Sequence, residues 1–362
     1  MVGSNSQDRS DKAEQSASTG EKHQTDHDSS DVKRTKTERQ TTLDDSLDNG
    51  KEDNAADPRS EKSKHPKPAK EESQDAVQPS EEPHVPSNIL EKGIFYFFVR
   101  GRVGIDEIEK VDDVARSYIL LRPIDKDAKL GEGPIGDSRT TRLMALPKKA
   151  LPSSGKDRFM AFVEMSSPSY DELKRKFLAS DDYETKTAGT RHTPAATPVG
   201  EGVYAITTTG RESHLAYMTT LPEKLGSVQT KLGLKDQGSF VLSTKNPQHK
   251  GPANARLPKG PEFPEEIIKE FRSLRWLPSR PEHLNYENAQ LLLIGESSGL
   301  DKAVEPQEED KENGKEEPLE VLGHLEEEDL ERMRHLPGGE SESLFADLHA
   351  HAKDYPKLQT TF

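Results

Sequence analysis

The chain predicts a mainly β (α+β) fold: a single antiparallel sandwich or open-barrel core of about eight strands with two or three helices, flanked by disordered tails. Apolar runs of four to eight residues, enriched in aromatic and β-branched side chains and bounded by Gly, Pro and Asp, recur between residues 89 and 297. Helical periods are too few to place a crossover between every pair of strands, as a parallel sheet requires. Outside that stretch the apolar residues thin out sharply.

In chain order, strands are expected at Gly93–Arg102, Ser117–Arg122, Thr141–Leu146, Arg158–Met165, Gly202–Thr208, His214–Leu221, Ser239–Thr244 and Ala289–Gly295. A helix is expected over Ser169–Ala179, where Ser169 as N-cap and Glu172 three residues on form a capping box ahead of Leu173, Phe177 and Leu178. Pro264–Leu274 opens on Pro and sets Ile267, Ile268 and Phe271 on one face, the mark of a second helix. A short helical turn fits Glu223–Leu232.

These elements divide the chain into a disordered polar arm (1–88), a folded core (89–297) and an acidic tail with short amphipathic segments (298–362). The arm has no Phe, Tyr, Trp or Ile, too little apolar surface to offset the entropy of ordering it. It carries 13 basic against 20 acidic residues, the core 31 against 28, and the tail 7 against 18. The acidity therefore belongs to the ends, and the core is slightly basic, which leaves an anionic partner open to it. In the tail, Leu319, Leu322, Leu325, Leu330, Met333 and Leu336, then Leu344, Phe345 and Leu348, form amphipathic patterns suited to docking on a partner or on the core.

The absence of Cys excludes disulfides, thiolate zinc sites and cysteine nucleophiles, and suits a reducing interior. The first 30 residues have no apolar signal region, and the longest apolar runs are far too short to cross a bilayer. An intracellular protein of nucleus or cytoplasm, without a membrane partner, is expected. Basic runs at Lys33–Lys36 and Lys62–Lys70 suit nuclear import.

Two motif matches fail on context. Gly131–Gly136 fits GxGxxG, but a loop separates it from the strand before it and no helix follows, so it reads as an ordinary turn. Gly295–Gly299 fits GxSxG after a strand, yet an acidic, Pro-containing segment stands where the packed helix of a nucleophile elbow belongs. No catalytic residue, metal ligand set or cofactor is assigned, and the chain leans toward a non-enzymatic role.

A binding site is the stronger expectation. The stretch Tyr183–Pro194 reads as a long irregular connection rich in hydroxyls and cations, in which Lys186, Thr187, Arg191 and His192 form a candidate anion or partner site. Arg275 and Trp276 form a candidate stacking pair for a base or a peptide, with core packing as the alternative for the indole.

The blocks Gly93–Arg102, Tyr183–Pro194, Gly200–Tyr204, Gly238–Phe240 and Lys245–Pro247 resemble a family of fungal proteins labelled "BTB domain transcription factor", and more remotely a set of plant proteins that share them. The likeness covers about residues 91–297. It implies a nuclear, regulatory role and carries over no functional residue; the fold expectation rests on the strand pattern. Together these readings make the chain an interaction module with a protein partner first and nucleic acid second. The alternatives are a small-ligand or enzyme site around 183–194, and an adaptor that recognises partners through its tails.

Overall fold

The computed structural model describes residues 76–79, 85–133, 135–136, 140–186, 189–251 and 257–335, which belong to the unit Ala69–Phe362. The strands are β1 (Val77–Pro79), β2 (Ile89–Gly101), β3 (Val114–Ile124), β4 (Ala128–Leu130), β5 (Arg142–Leu146), β6 (Arg158–Ser166), β7 (Asp181–Thr185), β8 (Gly189–Thr193), β9 (Ala196–Thr208), β10 (Ser213–Leu221), β11 (Gln237–Lys245), β12 (Trp276–Pro278) and β13 (Gln290–Gly295). The helices are α1 (Tyr170–Leu173), continued by a π turn over Lys174–Leu178, α2 (Ser227–Lys231), α3 (Glu265–Phe271), α4 (Glu308–Glu312) and α5 (Pro318–His335).

Eight strands form an antiparallel barrel in the order β2-β3-β5-β6-β13-β11-β10-β9, with β9 returning to β2. They are the eight that the sequence marks out. Of the two arrangements expected, the barrel is the one formed, and pairing of β10 with β11 closes it. In chain order, β2-β3-β5-β6 make one meander and β9-β10-β11-β13 a second. The first strands of the two meanders pair, as do the last, β6 with β13. The short β12 continues the edge of β11 beyond β10.

Alternation along the strands sorts side chains to two faces. In β2, Phe95, Phe97 and Val99 point into the barrel, where they meet Ile119, Leu121, Met144, Leu146, Tyr204, Tyr217 and Phe240. Ile94, Tyr96 and Phe98 point outward, yet they are just as buried, under Leu173 and Phe177 on one side and Leu322 and Leu325 on the other. This strand reads as a continuous apolar run because both of its faces are covered. Each large side chain so buried contributes about 1.5–3 kcal/mol.

Two glycines permit the closest strand approaches. A Cβ at Gly93 would lie 2.1 Å from the Arg122 carbonyl oxygen, and one at Gly202 would lie 2.0 Å from that of Met218. Neither position tolerates a side chain, and both sit in the strands that form the β2–β9 seam.

The helix at Ser169–Ala179 forms with the expected cap: Glu172 N–H donates to Ser169 Oγ at 3.3 Å, and the Glu172 carboxylate accepts from Ser169 N–H at 3.3 Å. The chain then crosses the outside of the barrel from β6 to β9. Arg100 staples that crossing, donating to the Phe177 carbonyl, and to the Pro194 carbonyl at 3.2 Å, with its guanidinium 5.6 Å from the Phe177 ring centre.

The core exceeds the bounds of 89 and 297. Ala76 and Asn88 are buried ahead of it, and Leu300, Ala303, Val304, Leu322 and Leu325 after it. The first amphipathic pattern of the acidic tail is α5, and it docks on the core itself, with Asp329 donated to by Thr220 Oγ1 at 2.8 Å and by Arg332 at 2.6 Å. The arm up to residue 75, its basic runs, and Leu344, Phe345 and Leu348 lie outside the described residues. Among the described residues no helix is long and apolar enough to cross a membrane.

Candidate functional site

The stretch expected to be a long irregular loop is instead a β-hairpin. β7 and β8 pair with Asp182 opposite His192 and Tyr183 opposite Arg191. Gly189, with φ +69°, takes the left-handed turn conformation, and Thr185 Oγ1 donates across the turn to its carbonyl at 2.9 Å. Of the four residues expected to hold an anion, Thr187 lies outside the described residues, and Lys186 and Arg191 project into solvent.

His192 is turned to a different task. Its Nδ1 lies 2.6 Å from Asp182 Oδ1 and its Nε2 lies 3.0 Å from Asp106 Oδ1. Two carboxylates can be satisfied at once only if both ring nitrogens donate, which describes an imidazolium. The hydrogen bond to Asp182 is the largest influence on its pKa; together with the contact with Asp106 it outweighs desolvation and raises the pKa above the ordinary histidine value. His192 thus joins two carboxylates, and an anion at this ring would compete with them.

That clamp ties the hairpin to the β2–β3 connection, and Gly104 N–H adds a bond to the His192 carbonyl at 3.1 Å. The corner so formed carries Val103 at 49% and Tyr183 at 40% exposure, two of the four large apolar side chains exposed among the described residues. The same two segments carry Arg102, Lys186 and Arg191 with Asp106, Glu107, Asp181, Asp182 and Glu184, an acidic excess.

Arg275 and Trp276 are not brought together as a stack. Trp276 is half-buried in β12 opposite Lys245, while Arg275 is exposed and its carbonyl accepts from Asn246 N–H at 2.9 Å. The aromatic packing after α3 is made instead by Phe263, Phe271, His283 and Tyr286.

Within the barrel, sequence reasoning missed a buried polar group. Arg142 Nη1 lies 2.6 Å from Glu91 Oε1, Tyr204 Oη donates to the same oxygen at 2.7 Å, and Arg142 Nε donates to Asn285 Oδ1 at 2.8 Å. Burial, reinforced by the Glu91 charge, pushes the Tyr204 hydroxyl well above the usual tyrosine range, so it stays protonated and donates. The available signal was a charged residue at inward positions of two otherwise apolar strands. The remaining space, lined by Phe95, Phe97, Tyr204, Tyr217 and Phe240, is a cavity of about 20 Å3, room for no more than a water.

Both motif matches are accounted for structurally. The Gly131–Gly136 loop turns the carbonyls of Ile135 and Gly136 onto the buried guanidinium of Arg122 at 3.1 and 2.7 Å, which presents acceptors where a phosphate needs donors. After Gly295 the chain enters a turn, Ser297 is exposed, and Glu296 folds inward to accept from His214 Nδ1 at 2.8 Å and Ser239 Oγ at 2.7 Å. Ser297, the serine of the motif, is no member of that trio, whose centre is a carboxylate rather than an imidazole. Among the described residues no cluster of three or more His, Asp or Glu is placed to hold a metal ion. Comparison with family models, with curated proteins and with solved structures found no match to this chain.

Proposed function

We propose that the protein is a non-enzymatic interaction module, a filled barrel that displays the β7–β8 hairpin and the β2–β3 connection to a protein partner. The observation that carries this reading is the clamped hairpin itself: a projecting element, rigidified by His192, that exposes Tyr183 beside Arg191. Tyr and Arg are the residue types that most often dominate binding energy at protein interfaces, and a fixed arm loses little entropy on docking. The acidic excess of the corner favours a protein over a nucleic acid, whose phosphates call for a cationic surface. A ligand or enzyme site at 183–194 is the weaker reading, because Asp182 and Asp106 occupy the ring nitrogens of His192 that such a site would use. The resemblance to the fungal transcription-factor family supports a nuclear, regulatory setting for the module.

The test is affinity capture from cells with the full-length chain and with the Tyr183→Ala, Arg191→Ala double variant. Loss of specific partners with an unchanged thermal midpoint is the expected result. Identical partner sets for both proteins sink the reading. Anisotropy titrations with duplex and single-stranded DNA and RNA form the second arm, and saturable, steeply salt-dependent binding would transfer the assignment to nucleic acid.

A further inference from the structure

The β7–β8 hairpin has one edge in use and one open. The His192 carbonyl of β8 accepts from Gly104 N–H at 3.1 Å, outside the hairpin, so the β2–β3 connection occupies the outer edge of β8. In antiparallel strands a carbonyl that turns outward belongs to a non-hydrogen-bonded pair, and Asp182 is the residue opposite His192. By alternation, Glu184 opposite Thr190 is another such pair. The N–H and C=O groups of Asp182 and Glu184 therefore point away from β8, along the outer edge of β7, and among the described residues no strand pairs with that edge.

The side chains of the edge define which strand fits. β7 reads Asp181-Asp182-Tyr183-Glu184-Thr185, three carboxylates without a cation, and its first four residues are exposed. Asp182 and Glu184 lie on one face of the strand, Asp181 and Tyr183 on the other. Lys186 follows in the turn, and Arg191 lies on β8, across β7 from the open edge. Charges on an edge keep neutral and like-charged strands from adding to it, and the same charges favour a strand of opposite sign. On the Tyr183 face a lysine or arginine can also lie against the exposed ring, a favourable cation–aromatic contact.

We propose, on the basis of the hairpin being the partner-binding element, that its open β7 edge takes up an extended Lys- or Arg-rich segment of the partner as an added strand. Main-chain hydrogen bonds to Asp182 and Glu184 attach the segment, and Asp181, Tyr183 and Glu184 select its cations. Because His192 already holds the hairpin in place, little ordering has to accompany the addition.

The experiment is fluorescence anisotropy of a labelled peptide of alternating lysine and threonine, titrated with the full-length protein. Its controls are the same peptide methylated on its backbone nitrogens and a peptide of alternating glutamate and threonine. Saturable binding of the unmethylated lysine peptide alone is expected, at least about tenfold weaker for the Asp181→Asn, Glu184→Gln double variant. Absence of saturable binding, equal binding of either control, or undiminished binding in the double variant overturns the inference. Affinity capture with Glu184→Pro, which removes an outward N–H and leaves the pairing with β8 in place, separates it from the reading beneath it. Partners lost in the Tyr183→Ala, Arg191→Ala variant but kept in Glu184→Pro would overturn the added strand and leave the hairpin as the binding element. Partner sets unchanged in both variants would remove the two together.

Discussion

His192 and Asp106 stand 86 residues apart in the chain and 3.0 Å apart in space, and their side-chain contact ties the hairpin to the β2–β3 connection. Asp182 holds the other ring nitrogen. The ring can hold both carboxylates, one within the hairpin and one in the β2–β3 connection, only while it carries two protons.

The pH dependence of this corner follows from the direction of the shift. A histidine whose pKa is raised by folding contributes stability that is fully present below its unfolded value of about 6.5 and is lost as pH rises through the folded value. Amide exchange over Asp181–Thr193 should therefore be slower at about pH 6 than at about pH 8.5, after correction for intrinsic rates. A His192→Gln variant should exchange quickly at both. Equal protection at the two pH values in the native protein would show that the ring does not act as the tether.

The ion pair inside the barrel should be costly to break and inexpensive to replace. Arg142→Met leaves Glu91 buried without its cation and is expected to cost about 3–5 kcal/mol in urea unfolding. The triple change Glu91→Leu, Arg142→Met and Tyr204→Phe removes the polar group altogether and should recover most of that loss. A triple variant less stable than the single one would mean that the network positions the backbone rather than merely satisfying itself.

Helix α5 should behave as part of the core. Leu325 is 1% exposed, and Leu325→Ala should destabilise the whole domain by about 2–5 kcal/mol, whereas Leu319→Ala, at an exposed position of the same helix, should stay within about 0.5 kcal/mol. Differential scanning calorimetry distinguishes these. A separate low-temperature transition for Leu325→Ala would indicate a helix that melts on its own.

Acid should loosen the segment after β13 by protonating Glu296. Burial pushes the Glu296 carboxyl up, but the hydrogen bonds from His214 and Ser239 outweigh it and hold the pKa below the ordinary value of 4.5. A depressed carboxylate contributes stability that is present above its unfolded pKa and is lost as pH falls through the folded one. Glu296→Gln should therefore flatten the acid limb of the stability profile below about pH 4.5. An unchanged acid limb would assign it to other carboxylates.

The barrel strands were legible because each buries at least one face, and burial writes alternation or a continuous apolar run into the residues. Strands β1, β4, β7, β8 and β12 were not, being three to five residues long; Asp181-Asp182-Tyr183-Glu184-Thr185 carries a charge pattern more typical of a loop. Pairing with Gly189–Thr193 overrides that propensity. The end of the core was set too early because Leu300, Ala303 and Val304 are scattered among acidic residues, and only their packing against β9 and β10 reveals them. The surroundings of the candidate anion site were hidden for a related reason: composition displayed His192 and Arg191 but not Asp106, which arrives from a distant turn.

The order of the strands has a consequence for the making of the protein. Because the last strand of each meander pairs with that of the other, β6 emerges from the ribosome long before its partner β13, and its outer edge has nothing to join until Gly295 has been synthesised. Neither half can close alone, so a nascent chain arrested anywhere short of that residue presents an open sheet with an apolar interior to the cell. Quality control of this protein is thus timed by translation of a six-residue strand near the end of the folded region.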